Sequence, residues 1–176
     1  MEKIENETCY VCHQKTLTLL EDEQDIPYFG KVFLFSMSCT SCHYKVADVE
    51  VAQPKDPCRI EFTVENEKDL SARLVRSSQA SVKIPRLKMS LDPGVGAEGF
   101  VSNVEGLLQR FKKILEVERD STDDPKIKKS AKNLLKKLWK VECGEDSLKV
   151  VIEDPSGNSA IIDEKALVYK LKNKQL

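Results

Sequence analysis

Apolar and polar residues alternate over much of the first half of the chain. The alternation is partial over residues 15–20 and clearer over residues 31–37 and 44–51, as is typical of half-buried β-strands. Residues 21–25 are all polar and are expected to form the turn between the first two strands. The pattern therefore predicts three short strands near the N-terminus.

A second set of short strands is predicted beyond a linker bracketed by Pro54 and Pro57. Ile60, Phe62 and Val64 alternate with polar residues and would lie on one face of a strand. Further strand candidates lie at residues 72–77, 80–84, 87–91, 147–153 and 159–162, and residues 166–171 form a last strand or a short helix. Short strands at this spacing indicate a β-sandwich or a barrel-like sheet.

Two amphipathic helices interrupt these strands. Ser102 and Glu105 match a capping box, and Asp124 followed by Pro125 is a typical start for the second helix. The apolar positions at helical spacing are Val104, Leu107, Leu108, Phe111, Ile114 and Leu115, then Ile127, Ala131, Leu134, Leu135 and Leu138. We expect a helical hairpin over about residues 102–141, with Trp139 as a core anchor.

Four cysteines in two Cys-x-x-Cys pairs carry the strongest chemical signal. They are Cys9, Cys12, Cys39 and Cys42. Two residues between cysteines let one tight turn direct both sulfurs at one ion, so the spacing predicts a tetrahedral zinc site. Iron in a rubredoxin-like site is the alternative, because four thiolates suit both metals, whereas two disulfides fit poorly with a chain that shows no sign of secretion.

A shell of four thiolates has no position left for water or substrate, so the metal is expected to be structural. His13 and His43 each follow the second cysteine of a pair and are expected to lie beside the site or at the surface. Cys58 and Cys143 belong to no motif and are expected to be core or surface residues. No catalytic constellation is recognisable, and the glycine-containing segment 92–99 lacks the Lys-Ser/Thr ending of a phosphate loop. The sequence thus predicts a protein that is not an enzyme.

The net charge and the distribution of apolar residues limit the partners and the cellular compartment that the protein could have. The 176 residues carry a net charge of -1, which argues against bulk electrostatic binding to nucleic acid or to an anionic membrane. The N-terminus does not resemble a secretory signal, and no apolar run approaches the roughly 20 residues that cross a bilayer. We therefore expect a soluble protein in a reducing cytoplasm, with no membrane association.

The second predicted helix is rich in lysine. Lys128, Lys129, Lys132 and Lys136 form a candidate basic patch for phosphates or an acidic partner. A solvated outer face explains the same residues, since no aromatic side chains are interleaved with the lysines to stack on bases. RNA or ribosome binding through this helix is therefore the alternative function.

Several segments, in order along the chain, resemble the ZPR-type zinc-finger family. They are DIPYFGKV (25–32), FSMSCTSCHY (35–44), DLSARLVRS (69–77), VKIPRL (82–87) and EGFVSNVEGLL (98–108). The resemblance implies an α+β, mostly β chain: a four-cysteine zinc ribbon at residues 1–53, then a double-stranded β-helix (jelly-roll-like) domain at 54–176 with an inserted helical hairpin. This chain has the module once, as archaeal members do. His43 and the Pro57-Cys58 pair stand where the family usually has glycine.

The resemblance also implies a function, namely binding the translation elongation factor 1-alpha GTPase and helping it to fold. Ile26, Tyr28 and Phe29 are candidate partner contacts, because they lie in a predicted turn next to the metal site. Packing of the same side chains against the ribbon or the β-domain is the alternative.

Overall fold

The computed structural model describes residues 1–26, 30–52, 55–94 and 96–171, which contain twelve strands and two α-helices. The elements are β1 (Glu2–Thr8), β2 (Lys15–Ile26), β3 (Gly30–Cys39), β4 (Lys45–Val51), β5 (Cys58–Val64), β6 (Arg73–Arg76), β7 (Ser81–Ile84), β8 (Met89–Leu91), β9 (Phe100–Asn103), α1 (Val104–Ser121), α2 (Pro125–Glu142), β10 (Leu148–Asp154), β11 (Ala160–Ile162) and β12 (Leu167–Lys170). Two short 3₁₀ turns lie at Glu67–Ser71 and Pro85–Leu87.

The N-terminal strands form one antiparallel sheet in the order β1-β2-β3-β4. The sequence predicted three strands, and β1 is an addition to them. The prediction of a turn at residues 21–25 is wrong, because β2 continues through them, pairing Glu21 with Phe35 and Asp25 with Lys31. Charged side chains are tolerated there because backbone hydrogen bonds to β3, rather than burial, hold this end of the strand.

Two further antiparallel sheets pack face to face and form the jelly-roll. One has the order β12-β5-β10-β7-β8 and the other β11-β6-β9. Ile60, Phe62 and Val64 are buried on one face of β5, as the alternation predicted. They share a continuous core with Leu74 of the facing sheet and Leu107 of α1. The α+β, mostly β fold class is confirmed.

The helices form a hairpin inserted between β9 and β10. The predicted cap of α2 is present, since the Asp124 carboxylate accepts a hydrogen bond from the Lys126 N–H at 2.8 Å. The predicted cap of α1 is displaced by one residue: the Asn103 side chain accepts from the Gly106 N–H at 2.8 Å, and Ser102 belongs to β9. No helix in the described ranges is long and apolar enough to span a membrane.

The prediction of Trp139 as a core anchor is wrong, since 51% of its surface is exposed. The buried stripe of α2 runs through Ala131, Leu138 and Val141. Trp139 follows Leu138 directly and therefore lies about 100° further round the helix, given 3.6 residues per turn. Ile127, also assigned to the stripe, is exposed near the start of the helix.

The ribbon packs against the jelly-roll at β4. The Asp48 carboxylate accepts hydrogen bonds from the N–H and the hydroxyl of Ser78, at 3.1 and 2.6 Å. The Gly99 N–H donates to the Ala47 carbonyl at 2.9 Å, and a Cβ at Gly99 would lie only 2.7 Å from the Val49 nitrogen, so this approach requires glycine. The domain boundary at residues 53 and 54 stays a prediction, and Pro54 lies outside the described residues.

Candidate metal centre

The four cysteines lie on two turns with the same backbone hydrogen bonds. In the first, the His13 N–H donates to the Cys9 carbonyl at 2.9 Å, and in the second, the His43 N–H donates to the Cys39 carbonyl at 3.1 Å. His13 and His43 have φ values of 58° and 59°, in the left-handed region that favours glycine. A glycine at either position would adopt this conformation without strain. Both histidine side chains are exposed, as predicted.

The sulfur positions match a tetrahedral site. All four Sγ atoms lie within 4.8 Å of one another. Cys9 Sγ lies 3.7 Å from Cys42 Sγ, and Cys12 Sγ lies 3.7 Å from Cys39 Sγ. A tetrahedron with zinc–sulfur bonds of about 2.3 Å has sulfur–sulfur edges of about 3.8 Å. The four cysteines are therefore placed to bind one metal ion.

The cysteines of the cluster differ in pKa. The Thr16 hydroxyl, 3.2 Å from Cys39 Sγ, is the main cause that lowers the pKa of Cys39 to about 6. At Cys42, the Tyr44 N–H lowers the pKa, but burial and the other thiols outweigh it and raise the pKa to about 12. One sulfur thus favours the thiolate while its neighbour resists ionisation. A bound divalent ion allows all four to ionise together.

The metal centre also forms much of the ribbon's own core. Its buried cluster consists of Cys9, Leu17 and Cys39, with Leu19, Met37 and Tyr44 packed around them. Cys12 and Cys42 also belong to this cluster, so half of its members are metal ligands, and metal binding and folding of this tip are expected to be coupled.

Of the three candidate partner contacts, the structure describes Ile26, which is buried. Ile26 is the last residue of β2 and is 1% exposed, packed with Val32, Val49 and Val75. Its assignment as a partner contact is therefore wrong for this conformation, because its side chain fills the junction between the ribbon and the jelly-roll. Tyr28 and Phe29 lie outside the described residues.

Sequence reasoning missed the most exposed apolar side chains beside the metal. Tyr10 and Val11 are 68% and 58% exposed and lie between Cys9 and Cys12. The signal was in the motif: because the two cysteines direct their sulfurs inward, the residues between them are left at the tip. The metal centre thus presents two apolar groups on a rigid turn.

The lysine-rich helix has a more mixed surface than its sequence suggested. Lys128, Lys129, Lys132 and Lys136 are all exposed, and their assignment as a binding patch stays a prediction. Trp139 follows Lys136 by three positions and Lys132 by seven, so it shares their face of α2. An aromatic side chain therefore does border the basic patch.

Together, the metal centre and the fold define a zinc-ribbon protein with a jelly-roll domain. The family model for the ZPR1 zinc-finger domain matches residues 3–56, and that for the ZPR1 jelly-roll domain matches residues 68–174. The chain belongs to the ZPR1 family. The metal that the family and the sulfur geometry define is one structural zinc.

Relatives from archaea match nearly the whole chain. A ZPR1-like protein of Methanocaldococcus jannaschii is 38% identical over 165 residues, covering 93% of this chain and 83% of the relative. One from Pyrococcus horikoshii is 38% identical over 172 residues, covering 96% and 77%. The zinc finger chaperone zpr1 of Schizosaccharomyces pombe is 30% identical over 140 residues, and the match covers 77% of this chain but 30% of that protein.

Proposed function

We propose that this protein is a non-catalytic cytoplasmic factor that binds the translation elongation factor 1-alpha GTPase and assists its folding. A relative that bears the name of a zinc finger chaperone supports a role in folding another protein. The resemblance described above supplies the elongation factor as the client. A shell of four thiolates supports a metal that holds structure rather than one that binds substrate.

The observation that carries this proposal is the metal-supported tip. Tyr10 and Val11 are held outward by the turn whose two cysteines face the metal. Exposed aromatic and aliphatic side chains on a rigid support are typical anchors of protein interfaces, because little conformational entropy is lost when they bind. The tip therefore offers a contact whose integrity depends on zinc.

The test is co-purification of the tagged full-length protein with the elongation factor, with zinc measured on the same sample. We expect a stoichiometric complex with one zinc per chain. The double variant Tyr10→Ser, Val11→Ser should bind at least about tenfold more weakly, as expected for loss of an interface anchor, while retaining its zinc. Ile4→Ser, which removes another exposed apolar side chain of the ribbon, is the matched control and should bind normally.

The pair Tyr28→Ala, Phe29→Ala tests the contact that the sequence predicted. Refolding of the denatured GTPase should give a higher yield of nucleotide-binding protein with the wild-type chain than with either double variant. A complex that survives both double variants unchanged would contradict the proposed surface. Absence of any complex with the elongation factor would contradict the proposed client.

RNA or ribosome binding is the second candidate function, and the position of Trp139 favours it. A half-exposed indole beside Lys132 and Lys136 provides a stacking surface next to positive charge. This function requires affinity for ribosomal or transfer RNA that falls steeply with salt. The double variant Lys132→Glu, Lys136→Glu should then abolish RNA binding. It should not change binding to the GTPase, which is proposed to occur through the metal tip.

A further inference from the structure

The jelly-roll has a large cleft whose lining contains none of the four metal-site cysteines. Its volume is about 1080 Å³, slightly above the roughly 300–1,000 Å³ usual for ligand pockets. The cleft lies between β11 and β12, which are edge strands of the two sheets. Ile60, Ile161 and Val168 give its wall an apolar character.

Among the residues that the structure describes, no strand pairs with the outer side of β12, which leaves backbone hydrogen-bonding groups unpaired along one wall of the cleft. The Leu171 N–H donates to the Pro57 carbonyl at 3.0 Å, in register with the pairing of β12 and β5. Hydrogen-bonded residues alternate in an antiparallel pair, so Leu167 and Tyr169 also bond towards β5. The N–H and carbonyl groups of Val168 therefore point to the free edge, and the side chain of the same residue lines the cleft.

The side chains of β12 are unusual for an unprotected edge. Leu167, Val168 and Tyr169 are 54%, 67% and 46% exposed. Edge strands are normally protected by charge, proline or a bulge, because a free apolar edge pairs with other chains. The first charged residue of β12 is Lys170, at its end, where the ammonium pairs with Asp56 at 2.9 Å.

The lining of the cleft also carries charged side chains, among them two neighbouring carboxylates. Asp163 and Glu164 line the cleft, are exposed, and have no ion-pair partner within the part of the chain that the structure describes. The neighbouring Lys165 does not neutralise them, because its ammonium is bound to Glu65 and Asp69 at 3.1 and 3.0 Å. A ligand with a positive charge next to these two carboxylates would be electrostatically favoured.

We propose that this cleft binds an extended peptide segment of another protein, which adds as a strand to the free edge of β12. The residue opposite Val168 exchanges two backbone hydrogen bonds with it, and its side chain enters the cleft on the same face as that of Val168. A lysine or arginine of the segment lies over Asp163 and Glu164. The site is separate from the metal tip and does not depend on the identity of the client proposed above.

The probe is a fluorescein-labelled synthetic peptide, KVTVTVT with blocked ends, titrated with the zinc-loaded full-length protein and followed by fluorescence anisotropy. We expect saturable binding. Val168→Glu should weaken it by at least about tenfold, because a charge would be buried against the apolar wall. Leu167→Glu is the matched control. The side chain of residue 167 points to the opposite face of β12 from that of Val168, so this substitution should change the affinity by less than about twofold.

Two further titrations test the backbone pairing and the charge. Two peptides are compared, one N-methylated at the odd-numbered amides and the other at the even-numbered amides. Only one of these sets of N–H groups faces β12, so the peptide that is methylated at that set should fail to bind. Replacing the peptide's lysine with glutamate should weaken binding to the wild type, and Asp163→Asn with Glu164→Gln should remove that difference. The proposal would be overturned if Val168→Glu bound the peptide as tightly as the wild type does. It would also be overturned if both N-methylated peptides, or the glutamate peptide, bound as tightly as the unmodified peptide.

Two other results would also overturn the proposal. The first is the absence of binding at millimolar peptide. The second is a concentration-dependent dimer of the protein alone that Val168→Glu dissociates in sedimentation, because a second copy of this chain would then be the occupant.

Discussion

The two regions of this molecule are held together by different means. At the metal tip the buried cluster is Cys9, Leu17 and Cys39, and two of these three are placed to bind zinc. The jelly-roll has a continuous apolar core that runs through both sheets and α1. The difference shows that the ribbon depends on one ion for its tip, whereas the jelly-roll depends on burial of apolar area.

Cys39→Ser is the strongest test of this difference. It removes a sulfur that Thr16 contacts and that lies 3.7 Å from Cys12 Sγ, so the zinc affinity should be lost and the tip should unfold. Structural zinc contributes about 10–16 kcal/mol of apparent binding free energy in small fingers, which makes this the largest effect expected. Bound zinc and amide hydrogen exchange measure it, with rapid exchange confined to the ribbon.

Cys143→Ser is the control, because that exposed cysteine lies outside the cluster. It should retain one zinc per chain and normal exchange. Rapid exchange throughout the jelly-roll of the Cys39→Ser protein would show that the two regions fold as one unit. The jelly-roll would then also depend on the metal for its stability.

Phe62→Ala tests the jelly-roll side of the comparison. Phe62 is almost completely buried on β5, so its truncation should leave a cavity and lower the free energy of unfolding by about 3–5 kcal/mol. Urea denaturation followed by circular dichroism measures this loss. Val117→Ala, at an exposed position of α1, should change stability by less than about 0.5 kcal/mol.

The zinc content of the Phe62→Ala protein tests whether damage to the jelly-roll core affects the metal tip. The Phe62→Ala protein should keep one zinc per chain in the absence of urea, because Phe62 belongs to the jelly-roll core and not to the cluster of the four cysteines. If Phe62→Ala lost zinc as well as stability, the two regions would not be stabilised independently of each other.

The sequence predicted what local chemistry determines and missed what depends on distant contacts. The spacing of Cys9, Cys12, Cys39 and Cys42 identified the metal site, and Asp124 with Pro125 identified the start of α2. These signals act within a few residues, so no knowledge of the fold is needed to interpret them.

The errors have a common origin in tertiary packing. Polar residues 21–25 look like a turn until β3 is present to pair with them. Ile26 looks available to a partner until the jelly-roll supplies Val75 to cover it. Trp139 looks like a core residue until the register of α2 directs Leu138 inward in its place. For Ile26 the deciding neighbour lies far away in sequence, whereas β3 is the next strand along the chain and Leu138 is adjacent to Trp139.

Asp69→Asn examines a smaller electrostatic contribution to the jelly-roll. Burial raises the pKa of Asp69, but the N–H groups of Glu65 and Asn66 and the Lys165 ammonium lower it by more, so the folded pKa is depressed. A depressed carboxyl pKa stabilises the fold above the unfolded value of about 3.9, and this contribution is lost as pH falls through the folded value.

The substitution should therefore cost about 1 kcal/mol at neutral pH, a modest value because Lys165 is partly exposed and its charge is screened by solvent. The difference from the wild type should shrink as the pH falls below about 4. Urea denaturation at pH 7 and at pH 3 measures both values, with Asp56→Asn as the control at a fully surface ion pair. An unchanged difference between the two pH values would show that Asp69 acts through shape and hydrogen bonding rather than through its charge.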